Sequence, residues 1–322
     1  MAIRIGIVGW GNLGRGVLRA LRQAEDMEPA FVLTRRDPAA VAPPEETVPF
    51  FRTEEAEQLR EKADVLVLCG SSAYDLPRQT PRFALDWCVV DSFDTHRRIP
   101  AHFEAVDLAA RQGGTLAVIS AGWDPGLFSL WRLLAKAAVP CGMQNTFWGK
   151  GVSQGHSEAI RHIPGVIKGV QYTIPKEDAL AAARRGEAAA FSDGERIRRV
   201  CYIVAEPGAD RDAISREITA MPNYFEPYET AVFFIGEAQF EREHHSFAHG
   251  GSVFSSDADG NRIACSLHTP SNPDLTAHVL IACARAAHRL SEQGETGCRT
   301  LFDIPPALLL PQSPGELCAA ML

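Results

Sequence analysis

The sequence predicts an α/β protein: a Rossmann-like doubly wound parallel sheet followed by an α+β unit. Three observations predict it. The first 120 residues alternate short apolar runs with amphipathic stretches over short connections, the pattern of parallel strands linked by helices. After residue 123 the β-like segments lengthen and group apart from the helices. The 322 residues are 46% hydrophobic and 22% charged, enough apolar content for two domain cores and too much for disorder.

The candidate strands of the first part are Ile3–Val8, Ala30–Thr34, Asp64–Cys69, Trp87–Asp91 and Thr115–Ser120. Helical patterns at Leu13–Gln23, Glu54–Lys62, Pro77–Leu85 and Ala101–Gln112 separate them, and the Pro- and Glu-rich stretch 37–49 reads as a surface excursion. Beyond the turn Asp124-Pro125-Gly126, Leu127–Ala138 reads as a helix. Gly169–Ile174, Ile197–Ala205, Tyr228–Ile235, Gly251–Ser256 and Arg262–His268 read as strands, the last two flanking a hairpin turn at 257–261. Lys176–Arg185, Asp210–Ala220 and Pro273–Glu292 read as helices. The expected domains are 1–122 for a dinucleotide, 123–295 for substrate, and 296–322 as a C-terminal segment packing back on the first.

Charge narrows the function classes. The net charge is −8, and of 32 basic residues only Lys62, Lys136, Lys150, Lys168 and Lys176 are lysines. No basic stripe offers itself to nucleic acid or to anionic lipid. No apolar run approaches the ~18 residues of a membrane helix, and the N-terminus reads as a strand, not a secretory signal. The eight cysteines are scattered without a C-x-x-C pair, which fits reduced, mostly buried thiols in a cytoplasmic protein.

The sharpest motif is Gly9-Trp10-Gly11-Asn12-Leu13-Gly14, placed between a strand and a helix. Gly9 allows the tight turn, Gly11 lets the backbone approach a pyrophosphate, and Gly14 lets the helix pack on the strand. An acid at the end of the second strand would select NAD. The residues there are Thr34-Arg35-Arg36, and two guanidiniums suit a 2′-phosphate, so NADP is the expected cofactor.

Ligands of open α/β sheets bind beyond the carboxyl ends of the strands. Those ends read Cys69-Gly70-Ser71-Ser72, Asp91-Ser92-Phe93-Asp94 and Ala121-Gly122-Trp123-Asp124-Pro125. Asp94 and Asp124 fall where the nicotinamide is expected, and acids there suit an ammonium group or its deprotonation. An Asp before Pro-Gly is also an ordinary turn or helix-capping residue, so for each acid alone both readings stand.

Taken together, the motifs 8–15, Ser92-Phe93-Asp94-Thr95-His96-Arg97, Gly122–Gly126, Thr146-Phe147-Trp148-Gly149, Ser153-Gln154-Gly155-His156-Ser157, Val170-Gln171-Tyr172-Thr173, His249-Gly250-Gly251 and Asn272-Pro273-Asp274 resemble the meso-diaminopimelate dehydrogenase family. They follow the family's order from residue 1 to about 300. The resemblance implies NADP-dependent, reversible oxidative deamination of the D-centre of meso-2,6-diaminopimelate by a cytoplasmic homodimer, joined through the domain 123–295, that needs no metal. It places Asp94 and Asp124 at the D-centre as the catalytic acids, with Trp123 and Trp148 shaping that end and the backbone of Gln154 and Gly155 helping to hold substrate. Thr173, Arg199 and His249 would grip the distal carboxylate, and Asn272 would touch the distal end. Residues 10–13, Thr34, Arg35, Arg36, Cys69, Gly70, Ser71, Ser72, Ser92, Phe93, Asp94, Ala121, Gly122, Trp123, Asp124 and Pro125 would line the cofactor. Thr34 stands where the family often has Ser, and the run 69–74 departs from its usual variants, differences that bear on cofactor affinity. Arg198 adjoins Arg199, and strand alternation lets only one of them reach a pocket.

Other readings are open from the residues. Gly151-Val152-Ser153-Gln154-Gly155 matches a hydrolase nucleophile motif. His245 and His249 have the spacing of a zinc pair on a helix. Cys69 or Cys141 could be an aldehyde dehydrogenase nucleophile, and His288 reads as a helix residue. The leading alternatives to the deaminating enzyme are another NADP-dependent imine or semialdehyde reductase and a non-catalytic NADPH sensor.

Overall fold

In the computed structural model, residues 2–187, 190–222, 224–226, 228–244 and 246–322 are described. The chain folds as two compact units, Met1–Leu130 with Pro273–Leu322, and Trp131–Asn272. Its strands are β1 (Ile3–Val8), β2 (Met27–Thr34), β3 (Phe50–Arg52), β4 (Val65–Leu68), β5 (Cys88–Asp91), β6 (Leu116–Val118), β7 (Met143–Trp148), β8 (Gly151–Val152), β9 (Val166–Pro175), β10 (Ile197–Ala205), β11 (Thr230–Phe234), β12 (His249–Ser256), β13 (Arg262–Thr269) and β14 (Gly297–Arg299).

The first unit is built on one seven-stranded sheet, order β14-β6-β5-β4-β1-β2-β3, with every pairing parallel. Side chains alternate across it. Ile3, Ile5, Ile7, Val65 and Val67 enter one core, while Val8, Leu66 and Leu68 enter the core on the opposite face. Burial on both faces is why these strands read as continuous apolar runs. The reversal of strand order falls between β1 and β4, the switch point where such sheets open a crevice.

Several elements differ from the sequence reading. The segment 54–62 lies in a 3₁₀ stretch, Thr53–Lys62; with Glu54, Glu55, Glu57 and Glu61 in it, only Thr53, Ala56 and Leu59 are buried. The excursion 37–49 contains a short helix, Pro38–Val41, capped by Asp37, and leads into the edge strand β3. β14, only three residues long, was too short to show a pattern, and it pairs with β6 at the opposite edge.

The largest difference is the helix Asn272–Glu292, which the sequence reading grouped with the second domain. Ala277, Leu280, Ala284 and Ala287 bury themselves in the same core as Ile5 and Val67, so from Pro273 onward it belongs to the first unit. Its small, evenly spaced apolar face names no partner in sequence. Arg285 on this helix is buried, bonds Asp26 at 2.6 and 2.7 Å, and donates to the Leu309 carbonyl at 2.7 Å.

The second unit contains a four-stranded sheet, order β11-β10-β9-β8, and a three-stranded antiparallel sheet, order β13-β12-β7. β9 pairs antiparallel with β8 and β10, while β10 and β11 run parallel. The expected hairpin joins β12 to β13, its turn held by Asp257 accepting the amides of Asp259 and Asn261. Helices Gln154–Arg161 and Arg211–Thr219 cover one face of the four-stranded sheet, packing Ile160, Ile214 and Ile218 against Cys201 and Ile203.

Among the described residues no helix is long and apolar enough to cross a membrane. Cys141 and Cys318 are exposed, unlike the buried thiols expected, while Cys88, Cys201, Cys283 and Cys298 are buried.

The Arg285–Asp26 pair yields a stability prediction. The guanidinium hydrogen bond holds the Asp26 carboxyl below its ordinary range. A depressed carboxyl contributes stability above its unfolded value of about 4, and the contribution is lost as pH falls through the folded value. Asp26→Asn is expected to cost about 2–3 kcal/mol at pH 7, since a buried guanidinium loses its counter-charge. Urea unfolding from pH 7 down to pH 3 should show the gap between wild type and variant narrowing.

Candidate active site

Because all strands of the first sheet are parallel, their carboxyl ends form one edge. The expected cofactor segments all follow strands at that edge: Gly9–Gly14 after β1, Thr34–Arg36 after β2, Cys69–Ser72 after β4, Ser92–Asp94 after β5 and Ala121–Pro125 after β6. Gly9 has a φ of 103°, which favours glycine, and its amide donates to Leu33 O at 2.8 Å. A Cβ on Gly14 would lie 2.0 Å from the Gly9 carbonyl, so the third glycine is required by close packing. A Cβ on Gly11 would meet nothing within 4 Å, leaving open space beside the start of the helix Asn12–Leu21. That helix carries no side-chain cap and no acid in its first turn. Its free N–H groups and positive dipole end suit a pyrophosphate, so the residues present fit a dinucleotide.

Thr34 Oγ1 accepts the Arg36 amide at 3.2 Å, a local turn at the end of β2. Both arginines project into solvent from it. Arg36 donates to the Trp10 carbonyl, and Arg35 forms an ion pair with Asp75 at 2.7 Å. Asp75 also accepts the Ser71 amide at 2.9 Å, linking the β2 and β4 turns. Asp75 carried no sequence signal, because its partner lies 40 residues away. Desolvation raises the Cys69 thiol well above its ordinary value, which removes the thiolate an aldehyde dehydrogenase would use.

Ser72 Oγ accepts the Asp94 amide at 3.1 Å. Asp94 is accessible to solvent, yet protein crowds it and desolvation raises its carboxyl, with the Ser72 hydrogen bond opposing the rise. Asp124 is half-buried in a turn closed by hydrogen bonds from Leu127 to Gly122 and from Phe128 to Trp123. The Trp123 ring sits edge-on to Phe128 at 5.1 Å.

The expected carboxylate grip lies in the second unit. Arg199 on β10 pairs directly with Thr173 on β9, and Thr173 pairs with Gly151 on β8. Direct cross-strand partners share a face. A Cβ on Gly151 would strike the His249 ring at 2.4 Å, so the imidazole occupies that same face. Arg199, Thr173 and His249 therefore form one row across neighbouring strands. All three are buried, whereas Arg198 is exposed, which settles which of the adjacent arginines points inward.

Arg199 lies over the Tyr228 ring at 4.0 Å, and its Nε has no hydrogen-bond partner among the described residues. Burial lowers its pKa, opposed by the Tyr228 hydroxyl and by the charge of Asp193, and no described carboxylate forms an ion pair with it. A buried guanidinium with unfilled donor capacity suits an anionic group. His249 is held neutral by burial and accepts the Gly250 amide on Nδ1 at 2.8 Å.

Gln154 and Gly155 open the helix Gln154–Arg161, which has no side-chain cap and is tied to β9 through Ser153 N–H on Gln171 O at 3.0 Å. Trp148 ends β7 with the Arg196 guanidinium 6.0 Å from its ring centre, and Asn272 donates its amide to Phe247 O at 2.9 Å.

Sequence reasoning missed Tyr228, whose ring lies against Arg199 and whose hydroxyl donates to Asp193 at 3.3 Å, and the pair Ser153 Oγ–His156 Nδ1 at 2.6 Å. That pair has the look of a hydrolase dyad. Burial and the Arg199 charge push His156 down to about 3, too weak a base to activate a hydroxyl at neutral pH. The zinc pair loses its helix: Glu237–Glu243 ends before the first histidine, His249 starts β12, and His245 lies outside the described residues. Among the described residues no three His, Cys, Asp or Glu side chains are grouped to hold a metal ion.

Comparison with known proteins agrees with these features. Residues 122–268 match the Diaminopimelic acid dehydrogenase C-terminal domain. The meso-diaminopimelate D-dehydrogenase of Ureibacillus thermosphaericus is 50% identical over 99% of both chains. A crystal structure of the C. glutamicum DAP dehydrogenase in complex with DAP is 43% identical over 99% of both chains, with a TM-score of 0.94. An engineered D-amino acid dehydrogenase bound to NADP+ is 42% identical over all of both chains, with a TM-score of 0.92. With half its residues shared over nearly its whole length, and with the strand-end motifs in their places, the chain belongs to the meso-diaminopimelate D-dehydrogenase family.

Proposed function

We propose that the chain catalyses NADP-dependent, reversible oxidative deamination of the D-centre of meso-2,6-diaminopimelate, giving ammonia and L-2-amino-6-oxopimelate, which cyclises to tetrahydrodipicolinate. Membership of the family, at 50% identity over full length, supports the activity. The observation that carries the substrate assignment is Arg199, buried beside Thr173 and His249 with no described carboxylate in ion-pair contact with it. A substrate with a carboxylate at its far end supplies the missing charge through a bidentate contact. As expectations of the family resemblance, the enzyme is a cytoplasmic homodimer that takes neither nucleic acid nor metal.

The Gly9–Gly14 turn and the helix start behind it would hold NADP, which when bound would supply the hydride acceptor for the D-centre carbon. The protein prepares that step. Asp94 and Asp124 orient the ammonium and accept its proton, directly or through water, since only a neutral amine can release hydride from its carbon. The raised carboxyl of Asp94 suits transient proton acceptance. Water then attacks the resulting iminium and ammonia leaves. Thr173, Arg199 and His249 hold the L-centre carboxylate, so that only the D-hydrogen is aimed at the cofactor. The backbone amides of Gln154 and Gly155, free at a helix start, assist in holding substrate, Trp123 and Trp148 shape the reacting end, and Asn272 contacts the distal end.

The cofactor assignment is tested at the end of β2. Replacing Arg35 and Arg36 with neutral residues is expected to weaken NADP+ at least tenfold while NAD+ changes little, since a charge-assisted bond contributes about 1.5–3 kcal/mol. Equal loss for both dinucleotides in fluorescence titrations would refute the 2′-phosphate role.

The distal grip is tested by paired substitutions on β10. Arg199→Met should raise KM for meso-diaminopimelate strongly and lower kcat through misplacement of the reacting carbon. Arg198→Met, at an exposed position, should leave both within about twofold, an order-of-magnitude allowance for a surface change.

The function itself is tested by formation of NADPH on adding meso-diaminopimelate, with no turnover of simple aldehydes. In that assay Asp94→Asn and Asp124→Asn should each lower kcat/KM at least ~100-fold, the scale of lost acid–base assistance, with NADP+ affinity little changed. An Asp124→Asn protein that is less stable by about 1 kcal/mol yet turns over normally would mark Asp124 as a turn residue alone.

A further inference from the structure

The reaction as proposed leaves one carboxylate without a role. Asp91 ends β5 and is fully buried, with no solvent exposure. An ionised group in that position is costly unless each oxygen is matched. Here each is matched twice. Oδ2 accepts the Thr80 hydroxyl at 2.7 Å and His102 Nε2–H at 2.7 Å. Oδ1 accepts the amides of Phe93 at 3.0 Å and Ser120 at 2.9 Å. The Asp91 carbonyl accepts the Ala121 amide at 2.8 Å.

These partners sort into two groups. Thr80 and His102 come from the helices Leu76–Ala84 and Ile99–Gly113, and they fix Oδ2 to the body of the first unit. Phe93 and Ser120 belong to the two loops that carry the acids: Phe93 directly precedes Asp94, and Ser120 opens the loop leading to Asp124. The Phe93 ring stacks on the His102 imidazole at 4.1 Å, adding a packing restraint to the same loop. Ser120 has a φ of 55°, the only positive value at a non-glycine among the described residues. A β-carbon disfavours that conformation, which persists where the surroundings over-determine it, as Asp91 does here through the Ser120 amide.

We infer that Asp91 is a positioning residue for the deamination: a single buried carboxylate that sets the spacing and aim of the loops bearing Asp94 and Asp124. A purely structural anchor would need only to hold β5 in the sheet. This one distributes one oxygen to the scaffold and the other to both acid loops. The inference rests on the roles proposed above for Asp94 and Asp124.

The test compares Asp91→Ala with Asp91→Asn in the full-length enzyme, using meso-diaminopimelate deuterated at the D-centre carbon beside the unlabelled substrate. Asp91→Ala removes the acceptor for both loop amides and is expected to lower kcat at least tenfold. The deuterium isotope effect on kcat should rise as hydride transfer becomes limiting, while NADP+ affinity stays within about threefold. Asp91→Asn keeps one oxygen able to accept the two amides, and it should recover most of kcat. If Asp91→Ala is folded, however destabilised, and retains normal kcat and isotope effect, the inference fails. Should Asp91→Ala not fold, Thr80→Val and Thr80→Ser decide: the inference requires a lowered kcat and a raised isotope effect in Thr80→Val that Thr80→Ser reverses, and an unaffected Thr80→Val overturns it. A wild type inactive on this substrate overturns the parent reading and the role of Asp91 with it. An active wild type with an unaffected Asp91→Ala overturns only the role of Asp91.

Discussion

All seven strands of the first sheet run one way, and most of the candidate site follows from that constraint. A parallel sheet gathers its carboxyl ends along a single edge, so the loops after β1, β2, β4, β5 and β6 converge although they are spread over more than 100 residues of sequence. Each of those loops must also satisfy the last backbone groups of its strand. The solutions differ in kind: glycines and a helix start after β1, a threonine turn after β2, Asp75 after β4, and a buried aspartate between β5 and β6.

The second unit rests on a different constraint, the cost of a buried positive charge. Burial places Arg199 against Tyr228 and Phe225 with no described carboxylate in direct ion-pair contact, Asp193 reaching only the Tyr228 hydroxyl. The strand pairing puts Thr173 beside it, and the missing side chain of Gly151 admits the His249 ring to the same row. Such an arrangement is unfavourable in isolation and favourable with an anion bound. Burial, with the same charge adding to it, holds His156 neutral, so the serine beside it stays a hydrogen-bonding group.

Much of this was legible from residue order. The glycine spacing named a phosphate turn because each glycine answers a local steric demand within six residues. Arg35 and Arg36 were legible because the end of β2 is a known distance from that turn. Asp94 and Asp124 stood out through their place after strands, and Trp123, Thr173, Arg199 and His249 through family resemblance alone. The contacts of Asp75, Tyr228 and Asp91 were not legible. Their partners are tens of residues distant, and an aspartate or tyrosine in an apolar stretch carries no local mark of what it will meet.

What the sequence by itself determined is local: which segments are strands buried on both faces, where the backbone must turn tightly, and where charge is concentrated. The tertiary structure decided the rest. It placed the helix Asn272–Glu292 in the first unit, because its alanine and leucine face fits the core around Ile5 and Val67 and periodicity cannot name a partner. It chose Arg199 over Arg198, because the register of β10 against β9 decides which face each side chain takes. It also made one carboxylate, Asp91, the common anchor of two loops, an outcome that depends on β5 lying beside β6 in space.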